Sequence, residues 1–193
     1  MKRLALALLG CLLLTGCGSQ KVPEPTVGEN LDNVAVEESA APEAEKYYLT
    51  FTAKDVDGQE VTSDVLEGSK LTMLNIWATY CNPCLEEMPY LGELAAEYDS
   101  AEFQIIGILS DVSEQSSQED IDYAKELIAQ TEANYPHLLL GQDLYSTLVG
   151  GVSAVPTTFF VKQDGEVLGY VTGAADKETW KELIDELLAE VEE

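Results

Sequence analysis

The chain has 193 residues, 46% of them hydrophobic, enough for one packed domain with chain to spare. Against 36 aspartates and glutamates stand 10 lysines and arginines, a formal net charge of −26. So acidic a surface repels nucleic-acid phosphates and anionic lipid headgroups, which argues against both as partners.

The first element is not domain material. Lys2 and Arg3 precede an apolar run, Leu4 to Leu14, that is too short to span a bilayer as a finished helix. A basic start plus a run of this length predicts a secretion signal over residues 1–16. "LTGC", Leu14 to Cys17, resembles the lipobox of bacterial lipoproteins, where the chain is cut before the cysteine and that cysteine is lipidated. Cys17 is therefore the expected lipid carrier, and Cys11 is expected to leave with the signal. The stretch after Cys17, up to Lys46, holds three prolines, seven acidic residues, two lysines and no aromatic residue. Such a segment buries too little apolar surface to offset ordering, so residues 17–46 are expected to form a disordered acidic tether. Its span, about 30 Å for a flexible coil, would let a domain swing clear of a membrane.

The folded domain is expected over residues 47–193. "YYLTFTAKDVDGQEVTS" reads as two short strands around an Asp-Gly turn, and "KLTMLNIW", Lys70 to Trp77, as a buried central strand. From Pro83, apolar residues at Met88, Leu91, Ala95 and Tyr98 follow helical spacing. "FQIIGILS" is a further buried strand, "EDIDYAKELIAQTEAN" an amphipathic helix and "HLLLG" a short strand. "DLYSTLVGGV" predicts a short helix ended by glycine. "TTFFVKQDGEVLGYVTG" predicts a hairpin across a second Asp-Gly turn. Trp180, Leu183, Ile184, Leu187, Leu188 and Val191 then fall on one face of a final helix. The expected class is α/β: a central mixed sheet flanked by helices, preceded by a β-hairpin.

The chemistry concentrates in "CNPC". With Cys11 cleaved and Cys17 lipidated, only Cys81 and Cys84 remain of the four cysteines. A structural zinc site takes four ligands, commonly two such pairs; there is no second pair, and His137 is the chain's single histidine. No metal is expected. A bridge between residues three apart closes too small a loop to restrain the unfolded chain much, so a purely structural disulfide is a poor use of this spacing. Redox chemistry remains. A strand followed by "CNPC" puts Cys81 at a helix entry, where unpaired N–H groups and the helix dipole favour a thiolate, and Pro83 suits the first turn. Lowering a thiol from its usual pKa of about 8.5 to about 7 makes it half thiolate at neutral pH. Glu86 and Glu87 oppose that trend.

"WATYCNPCLEEMP", together with "VPTTFF" about seventy residues later, resembles the thioredoxin superfamily. More narrowly it is similar to the membrane-anchored TlpA/ResA group of extracytoplasmic thiol-disulfide reductases. The resemblance implies a thioredoxin fold with an inserted helix and strand between Ser110 and Gly141, and no bound cofactor. It makes Cys81 the exposed attacking cysteine and Cys84 the buried resolving one, with Asn82 and Pro83 helping to set the potential. Pro156 would be a cis-proline facing the pair, with Val155 offering backbone groups to an extended substrate and Thr157 supporting that loop. Pro89 matches a helix-kinking proline. Ordinary thioredoxins carry a buried aspartate where this chain has Asn75, which cannot take up a proton in that role. The extracytoplasmic group has a glutamate three residues past the second cysteine, here Glu87, placed to handle the proton of Cys84; the alternative is a solvated side chain on an acidic helix. Tyr80 stands where most relatives have tryptophan, and Trp77 is expected to pack in the core.

A peroxidase of the peroxiredoxin type would need Pro-x-x-x-Thr-x-x-Cys; Leu74 and Ala78 occupy those positions. By resemblance the chain is a reductase, fed by a membrane thiol electron donor and acting on disulfides of exported proteins, with apocytochrome c and methionine sulfoxide reductases as candidate substrates. A disulfide-forming oxidase and a non-catalytic docking platform on the same scaffold are the two rivals.

Overall fold

The computed structural model describes residues 46–191. The expected signal over 1–16, Cys17 and the tether up to residue 45 lie outside the described residues. Among the described residues no helix is long and apolar enough to cross a membrane.

β1 (Thr52–Lys54) and β2 (Glu60–Thr62) form an antiparallel hairpin of their own. Its turn is held by Asp55, whose carboxylate accepts the N–H groups of Asp57 and Gln59 at 2.9 and 2.8 Å. Gly58 takes the positive φ of +81° that this turn requires. The main sheet contains β3 (Leu71–Trp77), β4 (Phe103–Ser113), β5 (His137–Leu140), β6 (Thr157–Lys162) and β7 (Val167–Thr172) in the order β5-β4-β3-β6-β7. β3, β4 and β5 run parallel; β6 is antiparallel to β3, and β7 to β6. Each parallel step needs a crossover. α1 (Asn82–Glu97) supplies the first and α2 (Gln118–Gln130) the second. α3 (Gln142–Thr147) leads towards β6, and α4 (Lys177–Val191) closes the chain. The expected class, hairpin and inserted helix and strand are all present.

β3 occupies the centre of the sheet, and every one of its residues is buried. Side chains of a strand alternate between faces, and here both faces are packed. Leu71, Met73 and Trp77 join a core with Met88, Leu91 and Leu94 of α1, Ala124 of α2, and Trp180 and Ile184 of α4. Leu74 and Ile76 face the opposite core, with Phe51, Ala53, Leu66 and Leu144. Asn75 therefore projects a polar side chain among the apolar residues of the α1/α4 side.

α2 ends earlier than its amphipathic pattern suggests, at Gln130 rather than Asn134. Thr131 bonds its hydroxyl back to the Leu127 carbonyl at 2.8 Å, and Glu132 takes a left-handed φ of 53°. Both terminate the helix. The turn that follows aligns Tyr135 and His137 on the core. Trp77 Nε1 donates to His137 Nδ1 at 3.2 Å, which leaves Nε2 to donate to the Ala133 carbonyl at 3.1 Å. The imidazole is thereby held as one neutral tautomer, stacked on Tyr135 with ring centroids 4.5 Å apart. Burial pushes its pKa down to about 4. Trp77 is thus a core residue, as expected, with an added polar anchor.

Gly107 of β4 lies under that ring, and a Cβ built there overlaps the His137 imidazole. Because the ring is bonded at both nitrogens it cannot step aside cheaply. Gly107→Ala is expected to lower stability by about 1–3 kcal/mol. The check is a fall in the urea midpoint with an unchanged denaturant slope; an unchanged midpoint would show that the ring is free to move.

Candidate functional site

β3 ends at Trp77, and four residues later the chain enters α1. The connection is held from β4: Asp111 accepts the Thr79 N–H at 3.0 Å and the Thr79 hydroxyl at 2.5 Å, and Ser110 Oγ donates to the Trp77 carbonyl at 3.0 Å. The Cys81 N–H donates to the Ala78 carbonyl at 3.0 Å. These bonds place Cys81 as the N-cap of α1, with extended backbone and Asn82 and Pro83 opening the helix. Pro83 costs the helix nothing there, since its missing N–H belongs to the unpaired first turn.

Cys81 and Cys84 are joined as a disulfide with Cα atoms 5.3 Å apart. The Cys81 sulfur also accepts the Cys84 N–H at 3.2 Å. Cys84 is fully buried, whereas Cys81 is 6% exposed. The order of exposure follows the resemblance, but neither cysteine is an exposed side chain in this oxidised form. Tyr80, immediately before the pair, is 74% exposed and Asn82 and Pro83 are exposed beside it.

The second wall comes from the loop before β6. The Val155–Pro156 peptide is cis. Ile76 pairs with Thr157 across the β3–β6 ladder, so Pro156 sits at the same end of the sheet as the cysteine pair. The loop is tied by Thr157 Oγ1 donating to the Ala154 carbonyl at 2.8 Å and by the Gly173 N–H donating to the Pro156 carbonyl at 2.9 Å. Among the described residues neither backbone polar group of Val155 has a hydrogen-bond partner. A donor and an acceptor are left for an extended chain.

Glu87 is not a solvated surface residue: it is 1% exposed, while its neighbour Glu86 is exposed. Its carboxylate accepts three hydrogen bonds, from Asn75 Nδ2 of β3 at 3.0 Å, from the Ala175 N–H at 3.2 Å and from Trp180 Nε1 of α4 at 3.2 Å. All three donors are neutral, and no cation pairs with Glu87 among the described residues. Burial pushes its pKa up, against the opposing pull of the three bonds. Glu87 lies three residues past Cys84 on the same helix, so the two share a face. Pro89, inside α1, removes the bond that would otherwise reach the Leu85 carbonyl.

The structure brings Cys81, Cys84, Pro156, Val155 and Thr157 to one end of the sheet and puts Glu87 on the buried face of α1 that also carries Cys84. Asp111, Thr158, Ala175 and Trp180 were not singled out in the sequence as site residues. For Glu87 a signal existed, since it falls within the stripe Cys84, Met88, Leu91 and Leu94, all 0% exposed. No group of three or more His, Cys, Asp or Glu is placed to hold a metal ion among the described residues.

The AhpC/TSA family model matches residues 45–169. Thiol-disulfide oxidoreductase ResA of Oceanobacillus iheyensis is 35% identical over 139 residues, which is 70% of this chain and 64% of that protein. The match thus spans less than two thirds of that relative. ResA of Bacillus thuringiensis subsp. konkukian is 28% identical over 189 residues, covering 97% of this chain and 99% of that protein. A thiol:disulfide interchange protein of the thioredoxin family from Chlorobium tepidum superposes with a TM-score of 0.63 at 24% identity, over 76% of this chain and 99% of that chain. It shares the fold.

The raised pKa of Glu87 has a consequence for stability. In the unfolded chain the carboxyl ionises near its ordinary value, 4.5, and in the folded chain only at higher pH. Its contribution is therefore fully present below 4.5 and is lost as pH rises through the folded value. Glu87→Gln lacks this dependence. Urea midpoints measured on both proteins across pH are expected to show wild type losing stability relative to Glu87→Gln over that window, and parallel curves would show that Glu87 is not buried as a titrating acid.

Proposed function

The chain belongs to the AhpC/TSA family, and on that footing we propose that it is a thiol-disulfide oxidoreductase that reduces disulfides of exported proteins. The observation carrying the reading is the Cys81–Cys84 pair at the N-terminus of α1, with the Cys81 sulfur receiving the Cys84 N–H. The helix N-terminus that caps this sulfur in the disulfide favours the Cys81 thiolate in the dithiol.

In the reduced protein the Cys81 thiolate attacks one sulfur of a substrate disulfide. That S–S bond breaks, a mixed disulfide to Cys81 forms, and the other substrate sulfur leaves as a thiolate that takes a proton. Cys84 then gives up its proton and attacks the Cys81 sulfur. This forms the intramolecular disulfide present in the structure and frees the second substrate thiol. The substrate gains two electrons and two protons, and the protein becomes the disulfide. A buried thiol such as Cys84 ionises poorly on its own. Glu87, a buried carboxylate with a raised pKa three residues along the helix, is the base that takes its proton. An extended substrate segment bonds to the free backbone groups of Val155 beside cis-Pro156, which brings its sulfur towards Cys81. Tyr80 gives the approaching chain an exposed aromatic surface.

A peroxidase reading is not favoured, since Leu74 and Ala78 stand where the peroxidase pattern has proline and threonine. The substrate reading extends to exported proteins with accessible disulfides, apocytochrome c and methionine sulfoxide reductases among them, with reduction renewed by a membrane thiol donor. The location that fits is extracytoplasmic, held to the membrane by lipid on Cys17. Residues 1–16 would then be the signal and 17–46 the tether of a domain over 47–193.

Cys81→Ser is expected to lower turnover of a model protein disulfide by about 100-fold or more. Cys84→Ala keeps the first attack but cannot resolve it, so it should accumulate mixed disulfides that run as high-mass species until reductant is added. Full biological activity retained in Cys81→Ser despite lost disulfide turnover would favour the docking platform and remove the redox reading.

A further inference from the structure

The buried carboxylate sits beside an amide whose polarity is only half used. Asn75 Nδ2 donates to Glu87 Oε1 at 3.0 Å and to Thr158 Oγ1 at 3.1 Å. Its carbonyl oxygen, in a side chain that is 0% exposed, has no partner among the described residues. A buried amide oxygen left alone costs free energy, and such a group calls for an explanation.

The explanation comes from where a proton can go. Glu87 Oε2 is occupied by the Ala175 N–H and the Trp180 indole N–H, and both groups can only donate. A proton taken up by Glu87 therefore has one address, Oε1. If it takes the lone pair that faces Asn75 it meets the amide N–H, and two donors face each other. A half-turn of the Asn75 amide removes the conflict, because the orphan Oδ1 then accepts the new O–H while the NH2 takes over the place Oδ1 leaves. Thr158 can follow, since a hydroxyl both accepts and donates. Its Oγ1, which now accepts from Nδ2, turns its own hydrogen towards Oδ1. In one setting the amide presents two donors, and in the other one oxygen with two lone pairs. The aspartate of ordinary thioredoxins could not do this, as an ionised carboxylate only accepts.

We propose that Asn75 and Thr158 form a reversible hydrogen-bond couple that holds Glu87 in both its protonated and its charged state. The couple's use in catalysis rests on the reading that Glu87 exchanges the proton of Cys84. Both are positioning residues; neither touches substrate. They sit on adjacent strands, β3 and β6, where Asn75 pairs with Thr158 in the ladder itself. The groups around Glu87 leave them this task. From α4 and the segment before it come only the Trp180 and Ala175 donors. From the segment ahead of β5 comes the Tyr135 phenol, buried, without a hydrogen-bond partner, and itself pushed up by burial and by the Glu87 charge. On α1 the ionisable neighbours are Cys84 and the exposed Glu86. Lys177, at the start of α4, is engaged by Glu93 and Glu97.

The test is a pH titration of the oxidised, full-length protein followed by nuclear magnetic resonance on the Asn75 side-chain amide. The expected result is that the amide signals and their proton contacts switch with a midpoint equal to that of the Glu87 carboxyl. Glu87→Gln imitates the protonated acid, because its amide N–H stands where the Oε1 proton would be. In that variant Asn75 should show the switched signals at every pH. Asn75→Asp puts a second carboxyl at the position, and the pair should titrate with a midpoint raised by about one pH unit or more. Thr158→Val should move the Glu87 midpoint and Thr158→Ser, which keeps the hydroxyl, should restore it.

Asn75 signals that stay fixed through the Glu87 titration, or that are the same in Glu87→Gln as in wild type at high pH, overturn the couple. The pH profile of Cys84 alkylation in the reduced protein tests the separate premise. If Glu87→Gln leaves that profile unchanged while Asn75 still switches, the couple stands and the proton-transfer role of Glu87 falls.

Discussion

A carboxylate with no cation beside it among the described residues sits at the junction of this domain. Glu87 takes its hydrogen bonds from β3, from α4 and from the backbone ahead of α4, and it does so from α1, the helix that begins at the cysteine pair. Four separate parts of the chain are thereby joined through one polar group. Charged groups are almost never fully buried unless paired or bonded. Here three neutral donors make burial tolerable, yet leave the charge costly enough that its proton is easily kept. A group so placed is poorly explained as a staple, because an apolar residue of similar size would hold the same helices without the desolvation cost. It fits the proposed role of a base for the Cys84 thiol, three residues away on the same helix.

The sheet makes this arrangement possible. β3 is central and buried on both faces, so its polar side chain on the α1/α4 side, Asn75, can reach only partners that the fold supplies. β6 lies against it and carries three consecutive contributions: cis-Pro156 at its entry, Thr157 tying the loop, and Thr158 facing Asn75. The surface proposed to meet the substrate and the buried polar couple are therefore built from neighbouring residues of one strand. Asp111 and Ser110 hold the other side, fixing the turn between β3 and Cys81 from the end of β4.

Much of this was legible before any coordinates. Two Asp-Gly turns predicted both hairpins, because only residues tolerant of positive φ suit such tight connections, and Gly58 and Gly165 carry it. Unbroken apolar runs predicted β3 and β4, since strands covered on both faces have no polar side. The cysteine count and spacing predicted the redox pair, and "VPTTFF" the proline loop. What stayed hidden was long-range polar pairing. Nothing in a sequence shows that the indole of Trp180, 93 residues away, bonds to Glu87. His137 carried meaning only as an unlikely metal ligand, and its bond to Trp77 appeared with the fold. The end of α2 was misplaced because an amphipathic pattern continues past Gln130, whereas Thr131 bonding back to Leu127 stops the helix. Glu87 itself was ambiguous for a physical reason. Its neighbours are acidic and solvated, and only its spacing from Cys84, Met88 and Leu91 marks it as facing inward.

The direction of electron flow decides between a reductase and an oxidase on this same frame. Equilibration of the Cys81–Cys84 couple against glutathione and dithiothreitol buffers of known potential measures it directly. A reductase of protein disulfides is predicted to lie below about −180 mV at neutral pH; a value nearer the oxidising end, about −120 mV, would contradict the account.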